Sequence, residues 1–486
     1  MFVKLKEKYR SLPVQVKASF WFLICSFLQK GISVLTTPIF TRLLTPAEYG
    51  NYNVFNSWLG IVSIFVSLNL SMGVYGQGIV KFSKERKEFS SSLQGLTLVL
   101  ITVWTIVYLF SKAFWNNLFS LSTTQMLAML IMIWTSSIFG FWSSEQRVEY
   151  KYKLLVLITL IVSIAKPVIG IIFVVNANDK VTARILGIAL VELAVYLWLF
   201  VFQLYKGKKF FVKKFWIYAL AFNIPLIPHY LSQIVLSSVD RIMIKEMIGE
   251  TSAGIYSLAY SLSLIMTLFN NALGQTINPW LYQKIRDNDI KSISTVAYFS
   301  LIIVALCNIL LIALAPEVIA IFAPKSYYEA IWVIPPVAMS VFFMFAYDLF
   351  AKFEFYYAKT KLIALTTIGC AVLNIGLNYV FINLFGYIAA GYTTLVCYLL
   401  YALFHYMAMQ KVCREKLDGI YPYNTKIIFS ISLIFLAIGF FFLVLYNYAI
   451  LRYSAILLII IIVFLKRKKI ISLIKLMIAN KATLTK

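Results

Sequence analysis

The feature that most constrains this chain is the regular return of long apolar runs separated by short gaps. A membrane-spanning helix needs roughly twenty mostly apolar residues, and here 61% of the 486 residues are hydrophobic while only 13% are charged. The runs predict about fourteen transmembrane helices, at residues 15–37, 54–76, 93–111, 126–144, 154–175, 183–205, 216–237, 251–275, 294–315, 330–351, 361–384, 388–410, 426–446 and 448–465. Because the gaps leave no room for a soluble domain, we expect an all-α membrane protein.

The basic residues indicate how the chain is oriented in the membrane. The net charge is +25, and most of the 44 Lys and Arg residues fall in alternate gaps when the N-terminus is placed inside. Cytoplasmic loops are rich in Lys and Arg and face an anionic leaflet. An even number of spans keeps this alternation to the last gap, which predicts that both termini are cytoplasmic. Since the basic residues lie between apolar runs, nucleic-acid binding is disfavoured.

A short internal repeat divides the spans into two sets. At a constant offset of 204 residues, Gly50 corresponds to Gly254 and Tyr52 to Tyr256. The segments 50–52 and 254–256 each follow the first helix of a six-helix set. Both sets therefore have the same orientation in the membrane, as in parallel transporter repeats. The predicted domains are an N-lobe of six helices, a C-lobe of six helices, and a helix pair with a basic cytoplasmic tail, at residues 1–210, 211–415 and 416–486. The alternative is that Gly-x-Tyr marks an ordinary loop-to-helix junction at the membrane interface.

Signatures of enzymes and metal sites are missing from the sequence. There is no P-loop or HExxH motif, the five Cys form no CxxC pair, and only two His are present. A membrane-embedded glycosyltransferase or polymerase is disfavoured because the gaps are short. We therefore expect no enzymatic activity, no cofactor and no metal.

Several short motifs resemble one family of membrane proteins. Residues 38–52 read PIFTRLLTPAEYGNY and residues 238–245 read SVDRIMIK; NPW follows at 278–280 and GYIAAG at 386–391. The chain resembles the bacterial flippases for polysaccharide units, which belong to the superfamily of multidrug, oligosaccharidyl-lipid and polysaccharide exporters. The resemblance extends over nearly the whole chain by topology.

The resemblance implies a two-lobed, V-shaped transporter of the MATE type in the bacterial inner membrane. It implies that the protein moves an undecaprenyl-diphosphate-linked oligosaccharide repeat unit from the cytoplasmic to the outer leaflet by alternating access. The glycan would serve capsule, exopolysaccharide or O-antigen synthesis. Its partners would be membrane lipids and the polysaccharide polymerase machinery. A MATE-type drug or cation antiporter and a lipid II flippase are the alternatives.

Charged residues within or beside the apolar runs are candidates for the binding site, because a charge in hydrocarbon usually faces a cavity or a partner. A diphosphate is bound by Lys and Arg. We predict that it is held by cavity residues Lys30, Lys166, Arg241 and Arg42. Internal ion pairs are the alternative, with Lys166 on Glu192 and Arg241 on Asp240.

Two further features of the spans are candidates for the transport cycle. Pro225 and Pro228 interrupt a predicted span and are typical of a bending gate. His229 and Glu192 are candidates for proton coupling, although His229 also fits a hydrogen-bonded packing role. We interpret Glu192 as the only clear acid in mid-span, and Lys352, Glu354 and Lys359 as a solvated face.

The orientation gives a first prediction. Alkaline phosphatase, which is active only outside the cytoplasm, should be active when fused after Asn178 and inactive when fused after Lys209. A cytoplasmic fluorescent reporter at the same positions should give the opposite pattern. Phosphatase activity after Lys209 would reverse the predicted orientation.

Overall fold

The computed structural model describes residues 13–467, apart from the side chains of Thr276 and Thr360, and its regular elements are all helical. The predicted all-α membrane fold is confirmed. The first nine helices are α1 (Val14–Leu43), α2 (Pro46–Ser67), α3 (Gly73–Lys81), α4 (Arg86–Phe110), α5 (Lys112–Phe119), α6 (Thr123–Val148), α7 (Tyr152–Val175), α8 (Lys180–Gly207) and α9 (Lys213–Asn223). The remaining ten are α10 (Ile227–Met247), α11 (Glu250–Ser263), α12 (Met266–Arg286), α13 (Ile293–Ala313), α14 (Ala315–Phe322), α15 (Ile334–Tyr356), α16 (Thr360–Phe385), α17 (Ala389–Lys416), α18 (Thr425–Val444) and α19 (Ala449–Leu465). Most of the predicted basic tail lies outside the described residues.

Twelve helical segments in the described part of the chain are long and apolar enough to cross a membrane. The two other predicted spans correspond to α2 and α19. Helix α2 has 22 residues but contains Glu48 and several Asn side chains, and α19 has only 17 residues. Seventeen residues are near the lower limit for spanning. The count of fourteen therefore stays a prediction.

The second span begins and ends earlier than predicted, because local capping sets its limits. Thr45 and Glu48 form a capping box, in which the Thr45 amide donates to Glu48 Oε2 at 2.7 Å, and Pro46 occupies the first turn. This sequence pattern is a strong helix start. The helix stops at Leu68, which together with Asn69 adopts a left-handed backbone conformation.

The helix that carries the two prolines is interrupted where they occur. Helix α9 ends at Asn223, a single 3₁₀ turn spans Ile224–Leu226, and α10 begins at Ile227. Proline removes a backbone donor and clashes with the preceding turn, so an interruption is expected here. Pro225 and Pro228 as a gating hinge remain a prediction.

The chain divides into two compact units, Met1–Ile234 and Val235–Lys486, so the division falls within α10. In unit 1, α8 packs against α4, α6 and α7, and in unit 2, α15 packs along α17. The repeated residues occupy equivalent positions, since Gly50 and Gly254 are each the fifth residue of α2 and α11. The domain boundaries at 210/211 and 415/416 stay predictions.

The segment that follows α8 is fixed to α4. Ser91 Oγ donates to the Lys209 carbonyl at 2.7 Å, and the Val212 amide donates to Ser92 Oγ at 3.0 Å. The contact is close at Gly95, where an added Cβ would lie 2.2 Å from the Phe210 carbonyl oxygen. Only glycine allows the backbones to approach this far.

This contact gives a prediction for stability. Gly95→Ala should lower the free energy of unfolding by about 1–3 kcal/mol, because overpacking forces the backbone to shift. Gly369→Ala is the matched control, since nothing lies within 4 Å of a Cβ added to that helical glycine, and it should not lower stability. Thermal denaturation of the purified proteins in detergent compares the two. Equal stability of both variants would contradict the prediction.

Candidate functional site

A polar cavity of about 220 Å³ lies within unit 1, lined mainly by α1, α7 and α8. The polar lining side chains are Gln29, Ser33, Thr36, Tyr52, Thr159, Ser163, Lys166, Arg184 and Tyr196. Those from α1 and α7 recur every three or four residues, so each set occupies one helix face. These polar stripes within apolar spans are a signal that the sequence analysis did not use.

Lys166 lies in this cavity and forms an ion pair with Glu192 Oε1. The second carboxylate oxygen of Glu192 accepts a hydrogen bond from Thr135 Oγ1 at 2.8 Å. Glu192 is buried, whereas the Lys166 side chain is 31% exposed. The pairing that the sequence left open as an alternative is thus present, and it leaves the lysine ammonium at the edge of the cavity.

Arg184 is the second cation of the cavity. Its guanidinium carbon lies 3.7 Å from the centre of the Phe40 ring and 3.6 Å from that of the Tyr52 ring. Rings on either side stabilise the charge and fix the plane of the guanidinium. Arg184 was not among the residues predicted from the sequence, because it lies in the first turns of α8, close to the predicted end of a span.

Two glycines bring the helices of the cavity together. A Cβ added to Gly187 in α8 would lie 3.1 Å from the Cα atom of Gly170 in α7. Small residues let membrane helices approach closely. Because α7 and α8 run antiparallel, Lys166 and Arg184 lie about one turn to opposite sides of this contact, and both side chains line the cavity.

Unit 2 contains a separate buried polar cluster. Asp240 is 1% exposed and accepts hydrogen bonds from the Tyr256 hydroxyl at 2.5 Å and from Thr394 Oγ1 at 3.1 Å. Arg241 is half-buried, with its guanidinium 4.4 Å from the centre of the Tyr260 ring. Asp240 and Arg241 therefore have different main contacts, although they are neighbours in sequence.

The other predicted site residues lie apart from the cavity of unit 1. Lys30 is exposed and does not line the cavity, although the neighbouring Gln29 does. Arg42 is exposed in the last turn of α1 and donates to the Pro38 carbonyl at 2.8 Å. His229 is half-buried, and its Nε2 lies 3.3 Å from Gln233 Nε2. Their roles in phosphate binding and proton coupling stay predictions.

The interpretation of Glu354 as part of a solvated face is wrong. Glu354 is 0% exposed and pairs with His405, and Lys352 is largely buried and pairs with Asp348. Besides Glu192 and Glu354, the acids Glu145 and Asp240 are buried as well. These residues lie near the ends of apolar runs, where sequence cannot tell a solvated end from one covered by a neighbouring helix.

The fold of this chain is similar to the folds of solved membrane transport proteins. The chain is 16% identical to a lipid II flippase, MurJ, in an inward closed conformation, with a TM-score of 0.69 over 92% of this chain and 99% of that one. It is 12% identical to an inward-facing multidrug resistance MATE transporter of the MOP superfamily, with a TM-score of 0.60 over 80% and 96% of the two chains. The fold is thus that of a multi-pass flippase or transporter.

Family models define the protein more closely. The model described as "Polysaccharide biosynthesis protein" matches residues 16–284 and the one described as "MatE" matches residues 225–380. Since the first covers more than half of the chain, the chain belongs to the polysaccharide biosynthesis protein family, and the resemblance found in the sequence is confirmed. A relative from Haemophilus influenzae, the Lsg locus putative protein 1, is 30% identical over 212 residues. The matched segment is 40% of this chain and spans half the length of that relative.

The ion pair in the cavity gives a prediction. Lys166→Met should lower the free energy of unfolding by about 1–3 kcal/mol, because it leaves the Glu192 carboxylate buried without its cation; the partial exposure of Lys166 keeps the loss below that of a fully buried pair. The double variant Lys166→Met/Glu192→Gln should recover most of this loss. Thermal denaturation of both single variants and the double variant measures the coupling. The prediction would be contradicted if the double variant lost as much stability as the two single variants together.

Proposed function

We propose that this protein moves an undecaprenyl-diphosphate-linked oligosaccharide repeat unit from the cytoplasmic to the outer leaflet of the bacterial inner membrane by alternating access. The glycan serves capsule, exopolysaccharide or O-antigen synthesis. Membership in the polysaccharide biosynthesis protein family supports a glycan substrate. The structural similarity to a lipid II flippase supports a substrate carried on a lipid.

The observation that carries this proposal is the charge of the cavity in unit 1. Among its described lining residues, two side chains are basic, Lys166 and Arg184, and none is acidic. A diphosphate carries negative charge on several oxygens, and guanidinium and ammonium groups bind it with charge-assisted hydrogen bonds. The polarity therefore favours an anionic group over the cations carried by a drug antiporter.

The two cations have different roles in this proposal. Arg184 is fixed between two aromatic rings and presents a preorganised fork of donors to the phosphate oxygens. Lys166 exchanges its contact with Glu192 for a phosphate oxygen when the substrate binds. The hydroxyl and amide groups of Ser33, Thr159 and Gln29 then hydrogen-bond to polar groups near the diphosphate.

The lipid II flippase is the second candidate function, because its fold matches nearly the whole chain. The two functions share the undecaprenyl diphosphate and differ in the glycan. The family match favours a polysaccharide repeat unit over a peptidoglycan precursor. We propose that bending at Pro225 and Pro228 gates transport. The polysaccharide polymerase machinery is proposed to receive the translocated glycan.

Export in a deletion strain tests the proposal. The strain should accumulate an undecaprenyl-linked glycan on the cytoplasmic side, and the wild-type gene should restore export. Arg184→Ala and Lys166→Ala should each lower export at least about tenfold, the equivalent of 1.4 kcal/mol of lost binding. Lys30→Ala in the same assay tests the predicted phosphate role of that residue.

Lys112→Ala is the matched control, because this exposed lysine lies at the start of α5 and outside the cavity. It should export normally. Membrane abundance of each variant is measured by immunoblot. A deletion strain that accumulates no lipid-linked glycan and becomes sensitive to drugs instead would support an antiporter and reject the flippase.

A further inference from the structure

Unit 2 contains a buried acid–base pair that the cavity of unit 1 does not involve. His405 Nδ1, in the middle of α17, lies 2.6 Å from Glu354 Oε1, near the C-terminal end of α15. The side chains are 1% and 0% exposed, respectively. Both are therefore out of contact with solvent in this conformation.

The other polar atom of each side chain lacks a hydrogen-bond partner. Among the described residues, neither Glu354 Oε2 nor His405 Nε2 is paired. Unsatisfied polar atoms in a buried site are costly, so a pair that served only packing would be expected to have all its atoms satisfied. The two free positions are where a further proton, or a water molecule that delivers it, can bind.

Aromatic rings enclose the pair. The ring centres of Tyr401 and Tyr347 lie 4.6 Å and 5.6 Å from that of the His405 imidazole, and the Tyr401 hydroxyl is 3.0 Å from Thr367 Oγ1 in α16. The titratable groups that interact with these two tyrosines include Asp348, Cys370 and Tyr398. Since Lys352 and Asp348 pair with each other at 2.7 Å, they add no net charge to the site.

The net charge of the pair depends on the number of protons that it holds. With one proton shared between imidazole and carboxylate, the pair is neutral overall. Loss of that proton leaves one buried negative charge, and gain of a second leaves one buried positive charge. Both states place an uncompensated charge in a buried site, at a cost in desolvation free energy.

Unit 1 has a similar carboxylate with a different partner. Glu145 is buried near the C-terminal end of α6, and its Oε2 accepts from Gln203 Nε2 in α8 at 3.1 Å. Helices α6 and α8 occupy the same places in the repeat as α15 and α17. A glutamine amide does not titrate. The equivalent contact in unit 2 differs because it joins the carboxyl group to an imidazole, which can bind a proton.

We propose that Glu354 and His405 form a proton-binding site that couples substrate transport to the proton gradient. The pair takes up one proton when it is open to one side of the membrane and releases it when it is open to the other. The coupling rests on the proposed flippase function, while the proton site itself stands on the geometry of unit 2.

Nuclear magnetic resonance of the imidazoles tests the site directly. The chain has only two His, so ¹⁵N-histidine labelling of the full-length protein in lipid nanodiscs gives two sets of imidazole signals, which His229→Gln and His405→Gln assign. Between pH 5 and 10, the His405 imidazole signals should follow a different titration curve in the wild type than in Glu354→Gln, because the paired carboxylate exchanges a proton with the imidazole. The His229 signal in the same samples is the internal control.

The same titration curve for the His405 imidazole in both proteins would overturn the proposal. Should Glu354→Gln fail to fold, the double variant Glu354→Gln/His405→Gln replaces it in a second measurement. This double variant preserves a side-chain hydrogen bond and cannot hold the shared proton.

The second measurement is flipping of a fluorescent undecaprenyl-diphosphate-linked N-acetylglucosamine in proteoliposomes, with and without an imposed pH gradient. The gradient should speed flipping by wild type at least about fivefold. The double variant should flip the probe at the rate that the wild type shows without a gradient, and an imposed pH gradient should not change this rate. A full response by the double variant would reject the proton site. Failure of the wild type to flip the probe at all would count against the proposed function, and the imidazole titration would still decide the proton site.

Discussion

The hydrocarbon core of a membrane offers no water to satisfy backbone polar groups, and this condition shapes the whole chain. Long helices satisfy it internally, and each interruption needs a partner of its own. One example joins two interruptions in unit 1. Asn223, the last residue of α9 before the proline turn, donates from its side chain to the carbonyl of Leu68, where α2 ends, at 2.8 Å. The side chain at one helix break thus satisfies a backbone carbonyl group at the other.

The same condition decides where charges can lie. A buried carboxylate needs a cation or a hydrogen-bonding partner, and Glu192, Asp240 and Glu354 each have one. Arg184 is stabilised differently, between two aromatic rings. Charged residues that remain in such an environment despite their desolvation cost are usually functional. This is why the cavity of unit 1 and the acid–base pair of unit 2 are the parts of the molecule to which we assign roles in binding and coupling.

Much of the fold followed from the sequence, since hydropathy finds apolar helices without knowledge of their neighbours. The family resemblance and the helical class are confirmed, whereas the phosphate-binding role of Lys166 stays a prediction. The limits of α2 were misplaced because the capping box at Thr45 and Glu48 was not used. Arg184 was missed because it lies near a helix start, and Glu354 was misjudged because it lies near a helix end. In both cases the hydropathy pattern alone could not distinguish a lipid-water boundary from a contact with another helix.

The sequence by itself determined the all-helical membrane class, the presence of polar residues within apolar runs, and the break at the two prolines. These are local properties, because hydropathy, helical spacing and the missing donor of proline act within one segment of chain. Only the tertiary structure decided which polar side chains meet. The approach of Gly187 to Gly170 places Lys166 and Arg184 in one cavity, and the packing of α15 along α17 brings Glu354 to His405. Such meetings depend on which face one helix presents to another, and two side chains 51 residues apart, such as Glu354 and His405, carry no mark of it in the sequence.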